Sequence, residues 1–181
     1  MLKFWRRKVV MKDMKDALRH IQQRLDGLAA SYDDRAIAQA WVALAKATPS
    51  VHVTTAKGLA LTVRRQVTGL NKVAYTAYLD KPNGRVAWMH CMAPAYGRVQ
   101  VTNANVYEIR GKDYRRQGIG TAVYDLIERD VKAAGGQGLE PHWGSMNDEA
   151  IAFWKKRRPD QAEHIEKLNR LGPGLATGLF D

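Results

Sequence analysis

The sequence predicts a protein of the α+β class, in which helices flank a sheet. Apolar residues recur at helical spacing within residues 1–48 and again after Ile119. Between these parts, from Leu59 to Ile109, the chain is rich in β-formers and carries turn signals. We therefore expect an N-terminal helical pair, then a run of strands, and then helices and a strand in alternation.

The composition is that of a globular domain with excess positive charge. Of 181 residues 45% are hydrophobic, and 29 Lys and Arg against 18 Asp and Glu give a formal net charge of +11. No apolar run reaches the ~18 residues that span a bilayer, and the first residues lack the apolar core of a secretory signal. Cys91 is the only cysteine, which excludes an internal disulfide and favours a cytoplasmic location.

Two helices are predicted before residue 49. The second runs from about Arg35 to Ala47, with Asp33 or Asp34 as its N-cap and Pro49 after its end. The first carries one apolar stripe, formed by Met14, Leu18, Ile21, Leu25 and Leu28. We expect residues 1–48 to pack through this stripe on a domain of residues 49–181, or on a second copy of the chain. Their basic side chains either stay solvated or contact an acidic partner or nucleic acid.

The elements after residue 49 follow from turn signals and periodicity. Strands are predicted at Leu59–Val67, Val73–Leu79, Arg85–Met92 and Val99–Ile109. Lys81-Pro82-Asn83-Gly84 is a strong hairpin turn, and Pro94 to Gly97 is expected to interrupt the chain. A helix at Ile119–Ala134 ends at Gly135-Gly136, as helices commonly do. The remaining elements are a short strand at Leu139–Trp143 and helices at Asn147–Arg157 and Asp160–Leu171.

The segment Tyr114 to Thr121, YRRQGIGT, lies between a predicted strand and a predicted helix. Its glycines let backbone N–H groups approach a ligand, and the first N–H groups of a helix carry partial positive charge. Arg115 and Arg116 add full charges. Two interpretations follow: a loop that binds an anion such as a pyrophosphate, or a glycine-eased turn with solvated arginines. The segment lacks the Lys-Ser/Thr ending of a Walker loop and the glycine triplet of a dinucleotide fold.

Arg115-x-x-Gly118-x-Gly120 resembles the R/Q-x-x-G-x-G/A signature of the GNAT superfamily of N-acetyltransferases. The longer stretch 113–135, DYRRQGIGTAVYDLIERDVKAAG, is similar to that family's acetyl-CoA loop and the helix after it. Downstream, NDEAIAFWKKR at 147–157 is similar to the family's N-x-x-A-x-x-x-Y-x-K block, with Trp154 at the usual Tyr. The resemblance implies a mixed, mostly antiparallel sheet flanked by helices, in which two central strands splay apart.

The resemblance also implies a cofactor, acetyl-CoA, and transfer of its acetyl group to an amine of an unknown acceptor. The cofactor-binding residues that it implies are Tyr107, Ile109, Arg115, Gln117, Gly118, Ile119, Gly120, Thr121 and Asn147. Backbone N–H groups of 117–120 would bind the pyrophosphate, the strand Val106–Arg110 would hydrogen-bond the pantetheine, and Asn147 would contact the cofactor arm.

The base for such a transfer is not fixed by the resemblance. The candidates are Glu108, on the strand before the loop, and His142, after the next strand. The alternative, non-catalytic interpretations are a solvated strand carboxylate for Glu108 and a structural histidine beside Trp143 for His142. The five histidines show no pairing at i+3 or i+4, so we expect no metal site.

Two other classes of function remain open at the level of sequence. Because the indole of Trp154 cannot replace the phenolic acid of a tyrosine, the chain could be a catalytically inactive GNAT-fold docking protein in a larger assembly. The charge alone would also suit a nucleic-acid-binding module, although the aromatic and arginine residues form no recognisable RNA motif.

Overall fold

The computed structural model describes residues 32–79, 84–109, 112–142 and 146–159. Within these ranges the chain forms three helices and eight strands. They are α1 (Asp34–Ala47), β1 (Ser50–Thr54), β2 (Ala60–Gly69), β3 (Lys72–Leu79), β4 (Gly84–Ala95), β5 (Arg98–Val106), β6 (Glu108–Ile109), β7 (Lys112–Asp113), α2 (Ile119–Ala133), β8 (Gly138–Pro141) and α3 (Asp148–Arg157). The predicted helix with the stripe Met14 to Leu28 and the predicted helix Asp160–Leu171 lie outside the described residues.

Six strands form one sheet in the order β1-β2-β3-β4-β5-β8. Neighbours from β1 to β5 are antiparallel, whereas β8 pairs in parallel with β5 after the crossover through α2. The predicted α+β class, with a mixed and mostly antiparallel sheet flanked by helices, is confirmed. Strands β6 and β7 form a separate two-stranded ladder. No helix of the described ranges is long and apolar enough to cross a membrane.

Helices α1 and α2 cover the same face of the sheet. Arg65 on β2 and Tyr75 on β3 are direct cross-strand partners and point to this face. The indole N–H of Trp41, on α1, donates to the Tyr75 hydroxyl at 2.9 Å, and that hydroxyl donates to Asp130 of α2 at 3.1 Å. The core beneath the helices consists of fully buried apolar side chains, among them Leu61, Val63, Val73, Val99, Val123 and Ile127. We call this side of the sheet the helix face.

Two adjacent aspartates fix the start of α1. Asp33 is the N-cap, as predicted, and its carboxylate accepts from the Ala36 N–H at 2.9 Å. The Asp34 carboxylate accepts from the N–H groups of Tyr96 and Gly97 at 2.8 and 2.7 Å. These two residues form the β4–β5 turn with φ values of 53° and 75°, the positive pair that a type I′ hairpin requires. Asp34 thereby ties α1 to the tip of a hairpin.

The structure departs from the predicted elements at three places. Strand β4 continues through Pro94, where the sequence predicts an interruption, because Pro94 sits at a register shift that accommodates a residue without an N–H donor. The alternating segment Ser50–Thr54 forms an additional edge strand, β1. Strand β5 ends at Val106 instead of Ile109, and Glu108–Ile109 pairs with β7.

Candidate functional site

Strands β5 and β8 pair over a short parallel ladder. Their pairing covers Arg98 to Val101 on β5 against Gly138 to Pro141 on β8. The last bond of the ladder runs from the His142 N–H to the Val101 carbonyl at 3.2 Å. Beyond it, residues 102–106 of β5 have no strand beside them on that edge among the described residues. On this side β5 therefore continues past the end of β8, and we call the gap beside residues 102–106 the V.

A bulge in β5 lies at the point where its pairing with β8 ends. Thr102 is an extra residue between the pairs Cys91↔Val101 and His90↔Asn103, and its hydroxyl donates to the His90 carbonyl at 3.2 Å. After the bulge, Ala104 pairs with Met89 on the helix face and yet is exposed. The helix face is thus accessible at the V, although it is buried elsewhere along β4.

The N-terminus of α2 lies at the end of β5. The Cβ that a side chain would add at Gly120 lies 3.9 Å from Cγ2 of Val106, the last residue of β5. The N–H groups of the first helical turn, which have no hydrogen-bond partner among the described residues, therefore lie next to the open part of this strand. No side chain caps this end, because the N-cap is Gly118. An uncapped helix N-terminus beside an open strand edge is suited to an anionic ligand.

The loop before α2 holds two residues with positive φ, Arg116 at 58° and Gly118 at 79°. For Arg116 this left-handed conformation costs about 1–2 kcal/mol. Tyr96, another non-glycine residue with positive φ, belongs to a two-residue hairpin turn that requires it, whereas Arg116 belongs to no hairpin. Backbone strain of this kind is concentrated at ligand-binding loops, which favours the anion-binding interpretation over a plain turn. The side chains of Arg115 and Arg116 are exposed, and Tyr114 before them is buried.

The two candidate bases are not brought together. His142 lies where the strands part, because its N–H makes the last bond of the β5–β8 ladder. The backbone of Glu108 lies beyond the other end of the open segment, in the β6–β7 ladder. Residues 101 and 106 alone are about 16 Å apart along an extended strand. A single acceptor amine therefore cannot use both groups, and His142 is the one at the base of the V.

Glu140 is a carboxylate at this place that the sequence reasoning missed. It lies on β8, two residues before His142, and Gln100 donates to its Oε1 at 3.0 Å. Burial raises the pKa of Glu140 above its ordinary value, against the lowering effect of Gln100 and nearby arginines. A raised pKa suits a general base near neutral pH. An acidic residue on a short strand that otherwise reads as buried is the signal that would have found it.

The structure places the other residues that were predicted to bind the cofactor in three different settings. Gln117, Gly118, Ile119, Gly120 and Thr121 form the loop end and first turn of α2, as predicted. The strand proposed for pantetheine needs correction: β5 ends at Val106, the Tyr107 N–H already bonds to the Val86 carbonyl at 2.8 Å, and Ile109 pairs with Lys112. The open edge is residues 102–106. Asn147 serves as the N-cap of α3, accepting from the Ala150 N–H at 2.9 Å.

Trp154, which stands at the family's usual tyrosine, is a packing residue. It is 2% exposed, and its ring lies edge-on to the ring of Tyr124, with 5.4 Å between centroids. Tyr124 belongs to α2, so the pair joins α3 to α2. Burial raises the pKa of the Tyr124 hydroxyl, which therefore stays protonated at neutral pH and is a poor proton donor for catalysis.

The remaining candidates for chemistry are the cysteine and metal ligands. Cys91 is buried on the helix face, and burial raises the pKa of its thiol, so it is a core residue rather than a nucleophile. In the part of the chain that the structure describes, no group of three His, Cys, Asp or Glu is arranged to hold a metal ion.

Comparisons of the chain with protein-family models, with curated proteins and with solved structures found no match.

Proposed function

We propose that the protein is an acetyl-CoA-dependent N-acetyltransferase of the GNAT type, acting on a primary amine of an acceptor. One observation carries this proposal: a strained, glycine-containing loop leads into an uncapped helix N-terminus beside the open edge of β5 at the V. An anionic group on the helix end and an extended chain along the strand are the two halves of a pantetheine-phosphate ligand. The signature Arg115-x-x-Gly118-x-Gly120 lies at the same place.

The residues of the loop fit such a ligand. A Cβ at Gly120 would make only ordinary contact within the protein, at 3.9 Å, and its backbone φ is not in the left-handed region. Packing of the chain therefore does not require glycine there, whereas close approach of a ligand to the helix end would. Residues 117–120 would hold the pyrophosphate through backbone N–H groups, and Arg115 would add charge. Bound acetyl-CoA supplies a thioester that an amine can attack.

The chain's own groups would then act on the acceptor. An amine attacks only in its neutral form, so a base must take its proton. His142 and Glu140 lie at the base of the V, and either can accept a proton there. Glu108 lies past the far end of the open strand and is the weaker candidate.

The test is direct binding followed by turnover. Calorimetric titration of the full chain with acetyl-CoA and with free CoA is expected to give saturable binding of both. Arg115→Ala should weaken binding by about 1.5 kcal/mol, an effect that shrinks with salt. Arg129→Ala is the matched control, because Arg129 is an exposed arginine ten positions into α2. Absence of binding of either ligand would refute the proposal.

A second candidate is a GNAT-type fold without catalysis, used for docking in an assembly. The buried, edge-on packing of Trp154 on Tyr124 favours it, because this position then serves the core. Release of CoA thiol over a panel of amines separates the two candidates. Cofactor binding without amine-dependent thiol release would support the docking protein, and release that depends on His142 or Glu140 would support the enzyme.

A further inference from the structure

The side of the sheet opposite the helix face exposes a set of cationic, aromatic and amide side chains. Residues alternate between the faces of a strand, so the neighbours of Arg65 and Tyr75 point away from the helices. We call this side the open face, and its members considered below are Arg64, Gln66, Tyr78, Arg85, Trp88, His90, Asn103 and Asn105. Arg64, Gln66, Arg85, His90, Asn103 and Asn105 are exposed, and Tyr78 and Trp88 are half-buried.

The aromatic rings of the open face lie close to one another or to arginines. Trp88 and His90, two residues apart on β4, have ring centroids 4.7 Å apart. The Arg64 guanidinium lies over the ring of Tyr78, 4.8 Å from its centroid, and Arg85, the cross-strand partner of Tyr78, lies 5.1 Å from the ring centroid of Tyr107. Planar groups and positive charges thus alternate across strands β2, β3 and β4 and the residue that follows β5.

Positive charge prevails on the four strands that carry these side chains, and Glu140 of β8, which is bonded to Gln100, is an acidic residue on the same face. Strands β2, β3, β4 and β5 contain no Asp or Glu. Their one buried arginine, Arg65, is paired with Asp130 on the other face. Asn103 and Asn105 lie directly across from His90 and Trp88, so amide groups that can both donate and accept flank the rings.

We propose that the open face binds single-stranded nucleic acid. Arginines on strands that contain no carboxylate attract phosphates, rings that reach the surface stack on bases, and flanking amides can bond to base edges. A wide, shallow sheet suits unpaired bases better than a duplex, whose bases are stacked inside. The proposal goes beyond acetyl transfer and does not depend on it, because none of these residues belongs to the loop. Asn103 and Asn105 lie on the open part of β5, but they are paired with His90 and Trp88 and point away from the helix face.

The N-terminal segment is the competing occupant of this face. Its predicted stripe, Met14 to Leu28, is apolar and would need an apolar partner. The open face instead offers charged, amide and aromatic groups, and the segment itself is basic, so both surfaces would carry the same sign of charge. Charge complementarity therefore favours a polyanion over this segment.

The experiment measures binding of a labelled 12-nucleotide single-stranded RNA, and DNA of the same sequence, to the full chain by fluorescence anisotropy over a range of salt. The double variant Arg64→Gln with Arg85→Gln is expected to weaken binding roughly tenfold and to reduce the salt slope by about 1.4, since each phosphate contact contributes about 0.7 for a single strand. The control Lys46→Gln with Arg129→Gln removes two exposed charges from the helices and should change binding less than about twofold.

Stacking is tested separately from charge. His90→Ala keeps the arginines and removes an exposed ring, and it should weaken binding at least about fivefold with an unchanged salt slope. A 4-thiouridine oligonucleotide should crosslink to the peptide that holds Trp88 and His90. Thermal melting of each variant confirms that it is folded, and if Arg85→Gln is not, Arg64→Gln alone is expected to lower the slope by about 0.7.

Three results would overturn the proposal. One is the absence of measurable binding at low salt. Another is binding that the open-face variants leave intact and that the loss of basic residues within 1–31 abolishes. The third is equal affinity for duplex and single strand, with no crosslink to β4, because purely electrostatic attachment would then suffice.

Discussion

The guanidinium of Arg65 and the carboxylate of Asp130 form a buried ion pair with two hydrogen bonds, both of 2.7 Å, that joins strand β2 to helix α2. Their side chains are 3% and 4% exposed. The Thr48 carbonyl accepts a further bond from Arg65 at 2.6 Å, and Tyr75 donates to Asp130. Both charged groups of this pair thus have hydrogen-bond partners. Helices α1 and α2 and the sheet meet at this polar cluster inside the core.

Removal of one member of this pair should be severe. Asp130→Ala leaves the Arg65 charge buried without a partner and is expected to lower the free energy of unfolding by about 3–5 kcal/mol. Urea unfolding followed by circular dichroism measures the loss. The double variant Arg65→Met with Asp130→Leu replaces both charges by apolar groups and should lose much less. If Asp130→Ala alone were within about 1 kcal/mol of the parent, the pair would not hold the helix to the sheet.

Gly118 and Gly120 are expected to respond differently to a side chain. Gly118→Ala should cost about 1–2 kcal/mol in unfolding free energy because its φ is 79°. Gly120→Ala meets only ordinary contact and should be neutral, or gain up to about 1 kcal/mol from helix propensity. Gly120→Val should abolish binding of CoA, measured by calorimetry, in a protein that still melts cooperatively. Binding at parental strength in Gly120→Val would contradict the assignment of the loop.

Trp154→Phe should leave any acetyl-transfer step nearly unchanged, because the indole packs and does not donate a proton. A loss of about 1–2 kcal/mol in unfolding free energy is expected from the smaller ring in a buried site. Steady-state turnover against pH is the measurement. The matched variant Tyr124→Phe removes a hydroxyl that burial keeps protonated. A pH-dependent loss in Trp154→Phe, with cofactor binding intact, would show that the indole has a role in chemistry.

The charge of Glu140 should reduce stability at neutral pH. Burial raises the pKa of this carboxyl in the folded state, so the folded state favours the protonated form. The stabilising effect of protonated Glu140 on the folded state is fully present below the ordinary pKa of a glutamate. This stabilisation is lost as the pH rises through the raised pKa of the folded state. Glu140→Gln should therefore stabilise the protein at pH 7, and the gain should vanish near pH 4. A gain that is the same at both pH values would rule out this titration. The control is Glu128→Gln, because Glu128 belongs to a partly buried ion-pair cluster in which its pKa is lowered instead.

Alanine substitutions at Gly97 and Gly58 distinguish the cost of backbone strain from the cost of a steric clash. Both have positive φ, 75° and 77°. A Cβ at Gly97 would lie 2.9 Å from the Tyr32 ring, whereas nothing lies within 4 Å at Gly58. Gly58→Ala should cost about 1 kcal/mol, and Gly97→Ala distinctly more. Thermal melts of the two variants give the comparison, and equal costs would show that Tyr32 moves aside freely.

Local signals in the sequence were sufficient for much of the fold. The Asp33 cap and Pro49 give the bounds of α1 within a residue, and the glycine pair after Ala134 gives the end of α2. Short-range rules of this kind depend only on neighbouring residues. The loop at Gly118 and Gly120 was likewise located from spacing alone.

Features that depend on distant contacts were not predictable. The bulge at Thr102 breaks the alternation of β5, so a period-2 pattern assigns the wrong faces to one part of the strand. Pro94 continues a strand because it lies at a register shift next to a turn held by Asp34. Asp130 gives a weak signal, a carboxylate on the apolar stripe of a helix, but its partner Arg65 lies 65 positions earlier.

The parallel pairing of β5 with β8 bears on when the candidate site comes into being. Gln100 and Glu140 are neighbours in space but lie 40 positions apart, whereas the antiparallel strands follow one another through short connections. Contacts between distant segments form slowly, so the antiparallel strands should assemble before α2 and β8 dock. On the ribosome, a chain that ended before residue 138 could hold a folded meander and still lack the V. The ability to bind a ligand would thus appear late in folding and in one step, when β8 joins the sheet.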